Sequence, residues 1–326
     1  MKPQPAILVI KLSALGDFVM AFPAFARIRA AHPDARITLL TTPTYESLAR
    51  LSPYFDAVET DGRPSGPAAW WTLVRRLRRA RYERVYDLQA NDRTALMFQA
   101  LRPGPPLWSG TARGCALPHR EIDRESMHPL ERQAGQLEDA GIWPDAPTAP
   151  LSAPPPDISW ILQSVRAPAR PAARPARPTV LLVPGSSAKH PEKRWPAEHY
   201  GALAARLESE GFDVLVIGGL QEGELARAIQ RKAPKARDLT GRTDAAQIAA
   251  LGARSAVAIG NDTGPIHLIA AAGAPTVVLF SSASSPERSA PRGHVTVFQA
   301  PALADLPVET VLASALSLAR RDVAAS

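Results

Sequence analysis

The sequence predicts an α/β chain made of two parallel, doubly wound halves, and three observations predict it. Short apolar runs rich in β-branched residues alternate with amphipathic helical stretches from residue 7 onward, the pattern of strand–helix–strand units rather than of hairpins. The alternation stops in a stretch of Pro, Ala and Arg at 167–178 and restarts at residue 180. The first strand of each half runs into a turn carrying Gly and polar residues, where open parallel sheets place ligand chemistry.

In the first half, residues 7–10 read as a strand ended by Lys11, followed by a Gly-containing turn at 11–17 and a helix at 18–30. Residues 37–40 give a second strand, 45–51 a helix and 57–59 a third strand. A helix at 68–80 carries Trp70, Leu73, Val74 and Leu77 on one face and leads into a strand at 84–88. Residues 158–165 read as a short helix. In the second half, strands are expected at 180–183, 213–217, 256–259 and 276–280, and helices at 196–209, 224–232, 245–253 and 266–272. This gives domains at 1–166 and 179–326, an extended linker at 167–178, and a cleft between the two units.

A length of 326 residues suits two domains of ordinary size, and 45% hydrophobic residues can fill both cores. The net charge of +7 calls for an anionic partner: phosphate groups, acidic lipid or nucleic acid. The single cysteine, Cys115, excludes an internal disulfide and a four-cysteine metal site, which fits a reducing cytoplasm. No segment reads as a signal peptide, because the apolar run at 6–10 is short and broken by Lys11, and no run is long enough to span a bilayer.

Three turns carry the candidate chemistry. The first is Lys11-Leu12-Ser13-Ala14-Leu15-Gly16-Asp17, in which Asp17 reads either as a helix cap or as a general base toward a hydroxyl. The second runs from Pro184 through Ser186, Ser187, Lys193, Arg194 and Trp195 to Pro196, offering hydroxyls and positive charge ahead of a helix, an array suited to phosphate. It is not a Walker loop, because no Gly precedes the Lys and no Ser or Thr follows it. The third, Asp262-Thr263-Gly264-Pro265-Ile266-His267, sits between apolar runs, with Pro placed for a helix start. Alone it also reads as a capped helix; beside the second turn it would meet the sugar of a nucleotide whose phosphates lie on Ser186, Ser187 and Lys193. No Gly-x-Gly-x-x-Gly follows any strand, so Gly218-Gly219 does not argue for a nicotinamide cofactor.

These strings, with Phe22-Pro23-Ala24 and Ile28-Arg29 after the first, resemble glycosyltransferase family 9, the ADP-heptose:lipopolysaccharide heptosyltransferases, in the same order along nearly the whole chain. The resemblance implies a GT-B fold, two Rossmann-like domains facing a central cleft, and an inverting, metal-independent sugar transfer with no cofactor. It implies Asp17 as catalytic base, Lys193 on the pyrophosphate with Ser186 and Ser187, and Asp262 on heptose hydroxyls with Thr263, Gly264 and His267 nearby. Glu222 falls where the family binds ribose, with Glu224 close enough to compete for the register, and Thr240, Gly241 and Arg242 fall where backbone meets adenine. The chain departs from the family in having Phe18 where many members have Val and only Ser13 where many have two serines.

The resemblance gives the positive charge a purpose. Arg75, Arg76, Arg78, Arg79 and Arg81 cluster on and after the helix that carries Trp70 and Trp71, and Arg113, His119 and Arg120 follow. Ser13, Arg75, Arg76, Arg79, Arg113 and Arg120 are the candidate contacts for an acceptor such as lipid A with its phosphates and Kdo sugars, reached from the cytoplasmic face of the inner membrane by peripheral contact. An Arg-rich helix is equally a solvated face. No nucleic-acid-binding module is recognisable. A nucleotide-sugar epimerase on a similar scaffold, a non-catalytic sugar-nucleotide sensor and, last, a dinucleotide oxidoreductase are the competing readings.

Overall fold

Runs such as Ile7-Leu8-Val9-Ile10 and Val180-Leu181-Leu182-Val183 are apolar on both faces, and each is almost fully removed from solvent, as strands of a parallel sheet covered by helices on both sides must be. The computed structural model describes residues 4–120, 123–124, 126–164, 177–186 and 190–325, over 321–325 as backbone alone. The chain divides into two units, Met1–Ala153 and Pro154–Ser326.

The first unit contains β1 (Ala6–Ile10), α1 (Leu15–Val19), α2 (Phe22–Ala31), β2 (Arg36–Leu40), α3 (Glu46–Leu51), β3 (Ala57–Glu59), α4 (Gly66–Ala80), β4 (Arg84–Asp87), α5 (Asp92–Ala100), β5 (Leu107–Gly110), β6 (Leu117–Pro118) and α6 (Pro129–Asp139). Its strands lie in the order β3-β2-β1-β4-β5-β6, all parallel. The expected helix at 18–30 is two helices, because Pro23 has no N–H to offer the carbonyl one turn back and the first helix ends at Val19. Asp17 therefore sits inside α1 rather than ahead of a longer helix.

The second unit contains α7 (Ser159–Ser164), β7 (Thr179–Val183), α8 (Ala197–Ser209), β8 (Asp213–Val216), α9 (Gly223–Lys232), β9 (Arg237–Asp238), α10 (Ala245–Gly252), β10 (Val257–Asn261), α11 (Gly264–Ala271), β11 (Thr276–Ser281), α12 (Pro286–Ser289), β12 (Val295–Ala300) and α13 (Val308–Ala325). The sheet order is β12-β11-β10-β7-β8-β9, again parallel. It has the same topology as the first sheet. Its core packs Leu203 and Leu207 of α8, Ile229 of α9 and Val311, Leu312 and Ala315 of α13 against the strands.

The boundary lies earlier than the expected domain end at 166. Helix α7 packs on α10 of the second unit, with Ile161 fully buried, so apolar burial assigns 154–164 to that unit. Most of the expected linker, 167–176, lies outside the described residues; Arg177 and Pro178 lead directly into β7.

Candidate active site

In both units the chain reverses direction around a central pair of strands, β1 with β4 and β7 with β10. The carboxyl ends of such a pair form the crevice where open α/β sheets bind ligands.

At that edge of the first unit, Asp17 is partly buried, and its Oδ2 accepts the backbone N–H of Ala14 at 3.2 Å. The turn leading to it is held from the neighbouring strand: Oε1 of Gln89, just beyond β4, accepts the N–H groups of Leu12 at 2.8 Å and Ser13 at 3.1 Å. Ser13 Oγ also accepts from the Arg63 guanidinium. Tyr45 stacks on Phe18 at 5.2 Å between centroids. Burial pushes the Tyr45 phenol up, with Arg63 lowering and Asp17 raising it.

Beneath the turn lies a buried charged layer in which Lys11 is joined by Asp87, a residue outside the three expected turns. Lys11 is 2% exposed and Asp87 1%. Burial lowers the Lys11 ammonium to about 8 against the raising influence of Asp17, and lifts Asp87 to about 6 despite hydrogen bonds from Thr94, Ala90 and Gln89. Lys11 Nζ donates to the Leu88 carbonyl at 3.4 Å. The signal was present in each case, a polar residue closing an otherwise buried strand.

In the second unit one residue ties the second and third turns together. Asn261, fully buried at the end of β10, donates through Nδ2 to the carbonyls of Pro184 at 2.8 Å and Gly185 at 3.3 Å. Its Oδ1 accepts from the Trp195 N–H at 3.0 Å and the Tyr200 hydroxyl at 3.1 Å. That knot sets Lys193 beside Asp262, Nζ to Oδ2 at 3.2 Å, with the two side chains 21% and 10% exposed. Thr263 precedes α11, yet its side chain makes no capping hydrogen bond. The cap is therefore not what this threonine hydroxyl does. His267, 5% exposed, lies one turn into the helix.

Ser186 is buried and its hydroxyl donates to the His190 carbonyl at 3.1 Å. Arg194, expected as part of a phosphate array, instead grips Ser186 through Nε to Oγ at 3.1 Å and Nη2 to the carbonyl at 3.0 Å, and so shapes the loop. Ser187 lies outside the described residues. Glu222 is 5% exposed, accepts the Gly219 N–H at 2.6 Å and packs against Gly185, where a Cβ would come within 2.8 Å of its Cγ. Glu224 has an 89% exposed side chain on α9, so Glu222 is the glutamate at the strand edge. Beside it Gly241, at φ +68°, donates its N–H to the Gly218 carbonyl at 2.8 Å, with Arg242 following. Leu220, 85% exposed, overhangs Gly241. Among the described residues no group of three or more His, Cys, Asp and Glu side chains is placed to hold a metal ion.

The model of glycosyltransferase family 9 (heptosyltransferase) matches residues 70–302, well over half of the chain. The chain belongs to glycosyltransferase family 9. Lipopolysaccharide heptosyltransferase 2 of Escherichia coli K12 is 31% identical over 308 residues, covering 88% of this chain and 86% of that protein. The structure of E. coli ADP-heptose LPS heptosyltransferase II superposes with a TM-score of 0.76 at 25% identity, over 97% of this chain and 99% of that one. A family 9 glycosyltransferase from Veillonella parvula superposes at 0.80 with 21% identity, over 98% and 99% of the two chains, which carries the fold.

This family 9 glycosyltransferase disperses its candidate acceptor contacts. Arg120 is exposed just after β6, at the same strand edge as Asp17 and Ser13, whereas Arg113, exposed between β5 and β6, lies by the end of α5, its carbonyl accepting Gln99 Nε2 at 3.2 Å. His119 is buried, its Nδ1 at 3.0 Å from Asp139 Oδ2, and so is a core contact rather than part of a basic surface. Arg76 is ion-paired with Glu59 and Asp61. Helix α4 runs back from the strand edge, so Arg75 and Arg79, both exposed, lie roughly 14–20 Å along it from its start. They leave the edge that carries Asp17.

Proposed function

We propose that this enzyme is an inverting, metal-independent heptosyltransferase that moves heptose from ADP-heptose to the inner core of lipopolysaccharide, onto a Kdo or heptose residue of a lipid A acceptor at the cytoplasmic face of the inner membrane. The observation that carries the reading is the Lys193–Asp262 pair at the β7/β10 switch point, flanked by Glu222 and the loop at Gly241, in a chain whose relatives are named for lipopolysaccharide and ADP-heptose.

In this reading Lys193 neutralises the diphosphate of the donor, as preorganised charge placed where negative charge grows. Asp262 accepts from heptose hydroxyls, with Thr263, Gly264 and His267 around the sugar and phosphates. Glu222 binds ribose, and the adenine ring lies against the backbone at Gly241 and Arg242, with exposed Leu220 as its apolar support. The acceptor hydroxyl attacks the anomeric carbon from the side opposite the diphosphate. As the new C–O bond forms, the bond to the phosphate oxygen breaks, ADP departs with the electron pair, and configuration inverts. Asp17 takes the hydroxyl proton. Its Oδ2 is held by Ala14, and among the described residues Oδ1 has no partner, which leaves an oxygen for that proton. A well-placed base of this kind contributes roughly 100- to 10,000-fold.

The test is incubation with ADP-heptose and, separately, Kdo–lipid A and its mono-heptosylated form, with and without a chelator. The reading expects one acceptor to gain a single heptose as ADP appears, indifferent to the chelator. ADP-heptose binding with no gain in mass would overturn the acceptor; absence of binding would overturn the donor.

A further inference from the structure

The outward face of α4 and the groove beneath it have no part in the chemistry above. The helix buries Leu73, Val74 and Leu77, of which Leu73 and Leu77 share a core with Met97 and Phe98. Its opposite side presents Trp71, 54% exposed, with Arg75, Arg78 and Arg79 at helical spacing. Where β4 and β5 begin, Arg78, Arg81 and Arg102 line a groove of about 500 Å³ floored by Leu77 and Leu101. That is the edge opposite to Asp17.

The positive charge here is uncompensated. Residues 75–85 hold six arginines and one acid, Glu83. Arg76 alone of the helix arginines is neutralised, by Glu59 and Asp61. Arg78 donates only to the carbonyls of Ala100 at 2.6 Å and Arg102 at 3.0 Å, and the Arg102 guanidinium lies over the Phe98 ring at 5.5 Å. Among the described residues none of Arg75, Arg78, Arg79, Arg81 and Arg102 is ion-paired.

We propose that this face docks the protein on a bilayer containing anionic phospholipid, with lipid phosphates on Arg75, Arg78, Arg79, Arg81 and Arg102 and the Trp71 ring at headgroup depth. Planar guanidiniums grip phosphate oxygens two at a time, a cluster of four or more on one helix face responds to anionic leaflets, and Trp favours the membrane interface. A bilayer suits the strip better than nucleic acid, because it offers one large exposed ring rather than a series of stacking platforms. The inference rests on the lipid-linked acceptor proposed above, since only such an acceptor makes membrane residence useful to the reaction. Among the described residues no helix is long and apolar enough to cross a membrane, so the attachment is at the surface.

The test is co-sedimentation of the whole protein with phosphatidylcholine vesicles, with and without phosphatidylglycerol, over a salt series. Binding is expected only with phosphatidylglycerol, falling as salt rises, and weakened about 5-fold per charge by Arg75→Glu with Arg79→Glu. Trp71→Ala combined with Arg102→Glu is expected to lose vesicle binding and turnover on a vesicle-embedded acceptor while keeping turnover on a deacylated one. Equal binding to both vesicle types, or equal loss on both acceptors, would overturn the docking face. Tighter, variant-sensitive binding to a duplex oligonucleotide than to vesicles would also overturn it. Failure of the wild type on the deacylated acceptor would instead strike the proposed transfer.

Discussion

Lys193 and Asp262 pair with each other, Nζ to Oδ2 at 3.2 Å, across two turns that are 69 residues apart in sequence. Each is charged and mostly buried, so each depends on the other until a donor shares them. Lys193→Ala is expected to weaken ADP binding about 10- to 100-fold, the range for losing a hydrogen bond to a charged group. Asp262→Asn should leave ADP affinity intact or tighter while lowering transfer. Calorimetric titration with ADP checks both, and unchanged affinity in Lys193→Ala would remove Lys193 from the phosphate site.

Asn261→Ala should cost about 3 kcal/mol in urea unfolding, because it strips the acceptor from Trp195 N–H and Tyr200 O–H and the donor from Pro184 in a fully buried place. A loss near zero would mean that the two turns hold their places without it.

Gln89 positions the Asp17 turn through one oxygen that accepts two backbone N–H groups. Gln89→Leu is expected to lower kcat at least about 10-fold with ADP affinity unchanged, whereas Gln89→Glu, which keeps the accepting oxygen, should retain most of the rate. Equal losses in both variants would show that the amide N–H rather than the oxygen matters.

The pH dependence of stability follows from Asp87. Its carboxyl is lifted by burial from 3.8 to about 6, so between those values the folded state binds the extra proton and stability falls as pH rises. Relative to Asp87→Asn, the wild type should lose roughly 3 kcal/mol between about pH 4 and 6. Lys11 acts in the alkaline range: lowered from 10.5 to about 8, it makes the unfolded state the better proton binder there. Stability referenced to Lys11→Met should then rise as pH passes from about 8 to 10. Parallel denaturation curves across pH for wild type and variants would contradict both shifts.

The residues that were legible in the sequence are those whose role shows in local pattern. Lys11 and Asn261 close apolar runs, so the strands and the turns beyond them were readable, and Trp195, within the second of those turns, is 1% exposed. Roles decided by distant partners were not readable. Nothing near Gln89 in sequence tells that it holds Leu12, 77 residues away, or that Arg194 would turn onto Ser186 and His119 onto Asp139. Short strands such as Leu117–Pro118 and Arg237–Asp238 carry too few residues to show a period and are fixed only by pairing with their neighbours.

Single-turnover transfer from ADP-heptose to the lipid A acceptor, run in parallel with the wild type and Asp17→Asn, decides whether Asp17 is the base. The expected result is one heptose gained by the acceptor in the wild type and a rate lower by about 100-fold or more in the variant, with ADP-heptose affinity the same in both. A variant that transfers heptose at the wild-type rate would contradict the assignment of Asp17 as the base.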